Sequence, residues 1–212
     1  MAINLTKLPT RKHGLALRVA KGHFATNHSH TNYYIDVTAQ KFRLSEAKAV
    51  AHELTAEYKY RGAVDTILCL DGTEVIGACM ASDMMKAQVL TSNEHGSLYV
   101  VTPEHTTGSQ LIFRENTMPM ITGKHVLILL ASVSTGYTAD AAMQAIQYYG
   151  GQVVGIASIF ASVKECGGVP VTHIFDTNDL HDYGSWEAHS CPLCQQGKKI
   201  EALVNSYGYS NL

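Results

Sequence analysis

A short segment from Ser132 to Thr138 is rich in hydroxyl side chains and contains one glycine. It follows the apolar run His125–Leu130 and precedes the alanine-rich stretch Ala139–Tyr149, whose apolar residues recur at helical spacing. A loop between a strand and a helix has unpaired backbone N–H groups, which bind phosphate. An ordinary turn capped by Thr138 is the alternative interpretation. The predicted anion-binding residues are Ser132, Ser134, Thr135, Gly136, Tyr137 and Thr138.

A second turn carries two carboxylates, Asp71 and Glu74, with Gly72 and Thr73 between them. It follows the apolar segment Val64–Leu70, which predicts a buried strand. One interpretation is a solvated turn before a helix, because glutamate is favourable in a first helical turn. The other is a site for a cation or a positively charged ligand.

A C-x-x-C pair, Cys191 and Cys194, lies near the end of the chain. One hypothesis is a zinc site that also uses His189. A redox pair is the second interpretation, because a thiol at a helix start has a lowered pKa. Two unligated thiols are the third. Further zinc ligands could come from His181, Cys166 or His173.

Three histidines, His23, His28 and His30, precede the predicted strand Tyr33–Val37. Although a role in ligand binding is conceivable, exposed histidines without a partner are common. We therefore expect these three to be exposed and uninvolved.

Composition limits the classes of function. The chain has 212 residues and a formal net charge of −2, so no patch for binding nucleic acid is expected. No apolar run is long enough to span a bilayer, and the N-terminus lacks the apolar core of a signal peptide. The five cysteines are an odd number, which favours a reduced, cytoplasmic protein.

Predicted strands alternate with predicted helices along the chain. This order indicates an α/β fold: a mainly parallel twisted sheet with helices on both faces and small accessory segments at both termini. We expect one domain, with an N-terminal segment at 1–40, a core sheet at 60–176 and a C-terminal segment at 177–212. The predicted strands are Tyr33–Val37, Val64–Leu70, Leu98–Val101, Gln110–Phe113, His125–Leu130, Val153–Phe160 and Val171–Phe175. The predicted helices are Gly14–Lys21, Ser45–Tyr58, Glu74–Ala87, Ala139–Tyr149 and one around Lys198–Val204.

Three stretches, in the same order along the chain, resemble the type I phosphoribosyltransferases of the orotate branch. Lys21–Asp36 (KGHFATNHSHTNYYID) is similar to the opening pattern of that branch, and Val64–Ala78 to its strand and pyrophosphate turn. Lys124–Phe160 resembles its phosphate-loop unit, with T-G-x-T at Thr135–Thr138. The resemblance implies that Ser134, Thr135, Gly136 and Thr138 hold a 5′-phosphate and that the 71–74 turn lies beside a pyrophosphate. It also implies Mg²⁺, a homodimer, and a ligand such as phosphoribosyl pyrophosphate, a nucleotide or ribose phosphate.

The chain departs from this family at three places that matter for its chemistry. The paired carboxylates that hold the ribose are replaced by Leu130 and Ala131. Asp71 and Glu74 place negative charge where a pyrophosphate would bind. The segment 102–109, which corresponds to a catalytic loop with lysines, has none and brings Glu104; His105 and Gly108 are its only similarities.

Two hypotheses of function therefore remain open. The first is a phosphoribosyltransferase of the orotate type. The second is a regulator or partner-binding protein that keeps the fold and binds a nucleotide or phosphate without catalysis.

Overall fold

The computed structural model describes residues 3–9, 14–107 and 110–212. The strands are β1 (Thr6–Pro9), β2 (Ala16–Ala25), β3 (His30–Asp36), β4 (Thr66–Cys69), β5 (Tyr99–Val101), β6 (Glu104–His105), β7 (Leu111–Ile112), β8 (His125–Val133), β9 (Gln152–Ala161), β10 (Glu165–Cys166), β11 (Val169–Asp176), β12 (Ser185–Trp186), β13 (Ala202–Asn205) and β14 (Gly208–Asn211). The α-helices are α1 (Thr38–Phe42), α2 (Leu44–Ala56), α3 (Glu74–Lys86), α4 (Tyr137–Tyr148) and α5 (Pro192–Gln195). No α-helix in these three ranges is long and apolar enough to cross a membrane.

The core sheet has the strand order β10-β11-β9-β8-β4-β5. Strands β11, β9, β8, β4 and β5 are parallel, and only the short edge strand β10 is antiparallel to its neighbour. Alternate residues of β8 enter two apolar layers, one shared with α2 and α3 and the other with α4. The predicted fold class is therefore confirmed, because helices cover both faces of a mainly parallel sheet.

A second sheet joins the two ends of the chain. Its strand order is β12-β3-β2-β13-β14, and β1 also pairs with β2. β13 runs parallel to β2, with Ala202 opposite Phe24. We call this the hood sheet because one cleft is lined both by its residues and by the ends of core strands.

Two predicted helices are wrong, and both belong to the hood sheet. Gly14–Lys21 contains the first half of β2. Leu15, just before the strand, and Leu17 and Val19 within it are buried at a spacing of two residues. Such alternation is typical of a strand with one buried face. The segment around Lys198–Val204 contains β13, whose pairing with β2 is a long-range contact.

Candidate functional site

A cleft of about 340 Å³ lies between the carboxyl ends of β4 and β8 and the hood sheet. All six residues of the predicted anion-binding loop line it. The hood side is formed by β3, by the loop before it and by the β13–β14 turn. In parallel sheets ligands bind at the carboxyl ends of the strands, so this cleft is the candidate site.

The loop between β8 and α4 ends at the uncapped start of a helix. Gly136 immediately precedes the helix with φ +86°, and no side chain caps the helix. The predicted alternative of a Thr138 cap is therefore wrong, because α4 already begins at Tyr137. A side chain at position 136 would also place its Cβ 3.1 Å from the Cys166 sulfur. The left-handed backbone at position 136 therefore favours glycine, and a larger residue would also have to displace the Cys166 side chain.

Leu130 and Ala131 are buried and pack into different layers of the core. Leu130, 1% exposed, belongs to the cluster that includes α4 residues, whereas Ala131, 0% exposed, belongs to the cluster with α2 and α3. Successive strand residues point to opposite faces, so this pair completes both layers. Neither residue can bind the hydroxyls of a sugar.

A carboxylate does enter the cleft from the neighbouring strand. Asp71 follows β4 in the left-handed region, at φ +58°, and is the only acidic residue among the described residues that line the cleft. Burial raises the pKa of the Asp71 carboxyl, while hydrogen bonds from the Ser206 side chain and the Ala131 backbone oppose the rise. The bond from Ala131 places this carboxylate beside the end of β8.

Lys41, in α1, is a buried cation that the sequence did not indicate. Its side chain is 0% exposed. Its ammonium donates to the carbonyl oxygens of Asp71 at 2.7 Å and Ser206 at 2.5 Å. Burial lowers the pKa of Lys41, whereas the charge of Asp71 opposes that change. Lys41 therefore joins the turn after β4 to the β13–β14 turn, and both turns line the cleft.

The rest of the predicted pyrophosphate turn has other contacts. Thr73 is buried, and its hydroxyl donates to the Leu70 carbonyl at 2.7 Å. Glu74 is exposed and accepts from the Thr102 hydroxyl at 3.3 Å, outside the cleft. Gly72 supplies a second positive φ, +75°. Among these four residues only Asp71 lines the site.

The β6–β7 hairpin neutralises the carboxylate that it carries. Arg114 donates two hydrogen bonds to Glu104, at 3.0 and 2.6 Å, and both side chains are exposed. Arg114 is thus paired on the surface. Gly108, to which the sequence resemblance drew attention, lies outside the described residues.

Aromatic side chains cover the opposite wall of the cleft. Tyr183 stacks on Tyr33 with ring centroids 6.3 Å apart. Its ring centroid lies 5.5 Å from that of Phe160. All three line the cleft. The centroid of the His28 ring lies 5.1 Å from that of Tyr137, a residue of the predicted anion-binding loop. Tyr183 comes from the C-terminal segment, and no local pattern in the sequence indicated its role.

Outside the cleft, Cys191 and Cys194 lie close to two histidines of the hood sheet, His23 and His30. The four possible ligand atoms all lie within 4.8 Å of one another. His23 is 2% exposed, which corrects the expectation that these histidines are exposed and uninvolved. The assignment of His189 is also corrected, because it is exposed and lies 3.3 Å from the carboxylate of Glu187.

Comparison of the sequence with protein-family models and with curated proteins finds no match. Solved structures do match. Leishmania donovani UMP synthase aligns with a TM-score of 0.55 at 18% identity, over 76% of this chain and 34% of that one. Mycobacterium tuberculosis H37Rv orotate phosphoribosyltransferase, in complex with Fe(III) dicitrate, aligns with a TM-score of 0.51 at 18% identity, over 77% of this chain and 92% of that one. Leishmania donovani adenine phosphoribosyltransferase aligns with a TM-score of 0.51 at 14% identity, over 71% of this chain and 73% of that one.

These similarities show that the chain has the fold of the type I phosphoribosyltransferases. The chain spans about a third of the length of the UMP synthase. At this level of identity the likeness concerns the fold, and function has to be argued from the site itself.

Proposed function

We propose that this protein binds a phosphorylated ribose, as ribose 5-phosphate or within a nucleotide, in the cleft between the core and hood sheets. The observation that carries the proposal is the loop before α4. Its helix start has no side-chain cap, its glycine has a left-handed backbone, and its hydroxyl-bearing residues line the cleft. The phosphate would accept hydrogen bonds from the first backbone N–H groups of α4.

The remaining surfaces of the cleft suit the rest of such a ligand. Asp71 would accept hydrogen bonds from the ribose, in place of the carboxylates that Leu130 and Ala131 do not provide. The aromatic ring of Tyr183, which packs on the buried Phe160, would contact a base in an offset or edge-on arrangement. The proposed ligands, ribose phosphates and nucleotides, are therefore of the class that phosphoribosyltransferases bind, including those of the orotate type.

Transfer activity is the property that separates binding from catalysis. Ribosyl transfer develops positive charge on the sugar, and removing one preorganised electrostatic group costs about 10²–10³ in rate. We therefore expect orotate, phosphoribosyl pyrophosphate and magnesium to give a rate at least about a hundredfold below ordinary enzymes. Loss of orotate, followed spectrophotometrically, measures it. Ordinary turnover would reject a function limited to binding.

One observation supports the alternative of a slow transferase. The Ala131 backbone donates a hydrogen bond to Asp71, so a carboxylate lies beside one of the two positions that the resemblance assigns to the acidic pair. In that case Asp71→Asn should abolish the residual rate. If the variant keeps it, Asp71 does not stabilise the reacting sugar.

The magnesium ion implied by the resemblance fits the site only if phosphate oxygens of the ligand also coordinate it. Magnesium is commonly held by one or two carboxylates together with phosphate oxygens, and Asp71 would supply the carboxylate. Without the ion, Asp71 would repel a pyrophosphate. We therefore expect phosphoribosyl pyrophosphate to bind only with magnesium, and ribose 5-phosphate to bind without it. Calorimetric titrations of each ligand, in magnesium or in EDTA, test both expectations. If the two ligands depend on magnesium equally, Asp71 does not hold the ion beside a pyrophosphate.

Asp71→Asn should weaken ribose 5-phosphate binding about tenfold but leave inorganic phosphate binding unchanged or tighter. A hydrogen bond to a charged group contributes about 1.5–3 kcal/mol, and the carboxylate also repels phosphate. Asparagine tolerates the left-handed conformation of residue 71, so the turn is preserved. Titrations of both ligands measure the ratio. A parallel loss for both would show that the turn has been disturbed instead.

Two further expectations accompany this proposal. The resemblance implies a homodimer, which sedimentation equilibrium of the full chain would detect as twice the monomer mass. The five free cysteines fit a reducing compartment such as the cytoplasm.

A further inference from the structure

The sulfur and nitrogen atoms of the four-residue cluster, His23, His30, Cys191 and Cys194, are spaced as ligands of one ion. The His23 Nε2 and His30 Nδ1 atoms are 3.2 Å apart. His23 Nε2 lies 3.6 Å from the sulfur of Cys191 and 3.7 Å from that of Cys194. The Cys194 sulfur is 3.3 Å from His30 Nδ1.

These spacings match a tetrahedral zinc centre. Zinc binds sulfur at about 2.3 Å and imidazole nitrogen at about 2.0–2.1 Å. Tetrahedral angles then place two nitrogens about 3.4 Å apart and a nitrogen and a sulfur about 3.6 Å apart. These four distances agree with those values within a few tenths of an ångström, and no two ligand atoms of the cluster are more than 4.8 Å apart.

Hydrogen bonding prepares His23 to act as a ligand. Its Nδ1 lies 2.9 Å from the Lys198 carbonyl oxygen, which can only accept, so Nδ1 carries a proton. In the neutral ring Nε2 then presents a lone pair to the two sulfurs. Metal-binding histidines commonly donate their other N–H to a carbonyl or carboxylate in this way.

The backbone brings the two halves of the cluster together. The pairing of β2 with β3 shifts its register between Lys21 and Phe24, and His23 lies within this irregularity. Its N–H donates to the Glu201 side chain at 3.0 Å, while its carbonyl accepts from the Glu201 N–H at 2.8 Å. Cys191 precedes α5 and Cys194 lies within it. A β-bulge commonly redirects a side chain, as it does here toward the C-terminal segment.

We infer that His23, His30, Cys191 and Cys194 bind one zinc ion that fastens the C-terminal segment to the hood sheet. Two thiolates and two imidazoles in tetrahedral array are a donor set that zinc favours. All four positions are filled by the protein, so the ion is structural and leaves no place for a substrate. Binding releases the thiol protons and holds both sulfurs as thiolates.

The ion stabilises one wall of the cleft indirectly. The loop between His23 and His30 and the β13–β14 turn both contribute residues to the cleft. Cys191 and Cys194 lie eleven and eight residues before the start of β13. Loss of the ion therefore frees the C-terminal segment first. This inference concerns the metal alone and stands whether or not the cleft binds a phosphorylated ribose.

Metal analysis of the untagged full chain, purified with a thiol reductant, tests the inference. We expect one zinc per chain, as purified or after addition of zinc and dialysis. Cobalt added to chelator-treated protein should give the intense visible absorption of a tetrahedral thiolate site. Changing a residue beside a metal ligand already weakens binding about 10–100-fold. Cys194→Ser and His30→Gln should therefore weaken zinc binding at least about a hundredfold.

Matched variants separate ligand loss from misfolding. Cys79→Ser and His189→Gln change the same residue types outside the cluster and should keep one zinc per chain. Cys194 is exposed, so replacing it removes little packing. Hydrogen exchange over residues 187–205 should rise in the ligand variants and in chelator-treated protein, but not in the controls.

Three results would overturn the inference. The first is a reduced, folded wild-type chain that does not take up zinc. The second is a His189→Gln variant that loses zinc as fully as His30→Gln. The third is a Cys191–Cys194 disulfide that mass spectrometry detects in protein isolated with reductant, because such a bond removes both thiolates.

Discussion

Aspartate in place of Thr138 should weaken ribose 5-phosphate binding more than a hundredfold. Thr138 is the second residue of α4 and lines the cleft. Two like unit charges about 4 Å apart cost roughly 4 kcal/mol at an effective dielectric constant of 20, and each 1.4 kcal/mol is a factor of ten. The new carboxylate would also compete with the ligand for the free N–H groups of the helix. Isothermal titration with ribose 5-phosphate measures the change.

The same substitution should leave the fold intact or slightly more stable. A carboxylate in a first helical turn interacts favourably with the helix dipole, by about 0.3–1 kcal/mol at exposed positions. Ser45→Asp is the matched control, because Ser45 is the exposed second residue of α2 and does not line the cleft. It should keep wild-type affinity. Full affinity in Thr138→Asp would mean that the phosphate does not bind at the start of α4.

The part of the fold that the sequence predicted well consists of local units. β8, α4 and β9 each have a clear periodicity, and short loops connect them, so their order and type could be derived. Because β8 ends at Val133, Ser132 is an exposed strand residue within the predicted loop region. The candidate anion loop was predictable for the same reason: its residues are contiguous.

The parts that the sequence did not predict depend on distant contacts. β13 is a strand because β2 offers it an edge, and β2 lies almost at the other end of the chain. The metal cluster joins two histidines of the hood sheet to a C-x-x-C pair whose partner ligands are more than 150 residues away. Only the C-x-x-C half of that site has a spacing that is recognisable in the sequence as a metal-binding motif. Asp71 was identified as an unexpected charge, but its place beside Ala131 depends on the pairing of β4 with β8.

The second large effect concerns Asp65, a buried carboxylate at the amino ends of β4 and β8, away from the cleft. The Asp65 side chain is 0% exposed and accepts hydrogen bonds from three residues. Its partners are Thr91, the backbone and hydroxyl of Ser92, and the backbone and ring of His125. Burial alone would raise the pKa of Asp65, but the bonds from His125 and Ser92 hold that pKa well below its usual range.

Asp65→Asn should lower the free energy of unfolding by about 3 kcal/mol at pH 7, the upper end of what a hydrogen bond to a charged group contributes. The Ser92 N–H donates to Oδ1 of Asp65 and the His125 N–H donates to Oδ2, so an amide, which has one acceptor oxygen, leaves one of these N–H groups without a partner. For a chain of this size the melting temperature should fall by about 6–12 °C. Calorimetry measures it. Asp182→Asn is the control, because that side chain is 70% exposed and should change stability by less than about 0.5 kcal/mol.

The pH dependence identifies the charge as the cause. The pKa of Asp65 is lower in the native state than the value of about 3.9 in an unfolded chain, so the unfolded chain binds more protons between the two values. The stability that Asp65 contributes is complete above about pH 4 and is lost as the pH falls toward the native pKa. The difference in unfolding free energy between wild type and Asp65→Asn should therefore shrink below about pH 4. A difference that stays constant across that range would mean that the shape of the side chain, and not its charge, holds the starts of β4 and β8 together.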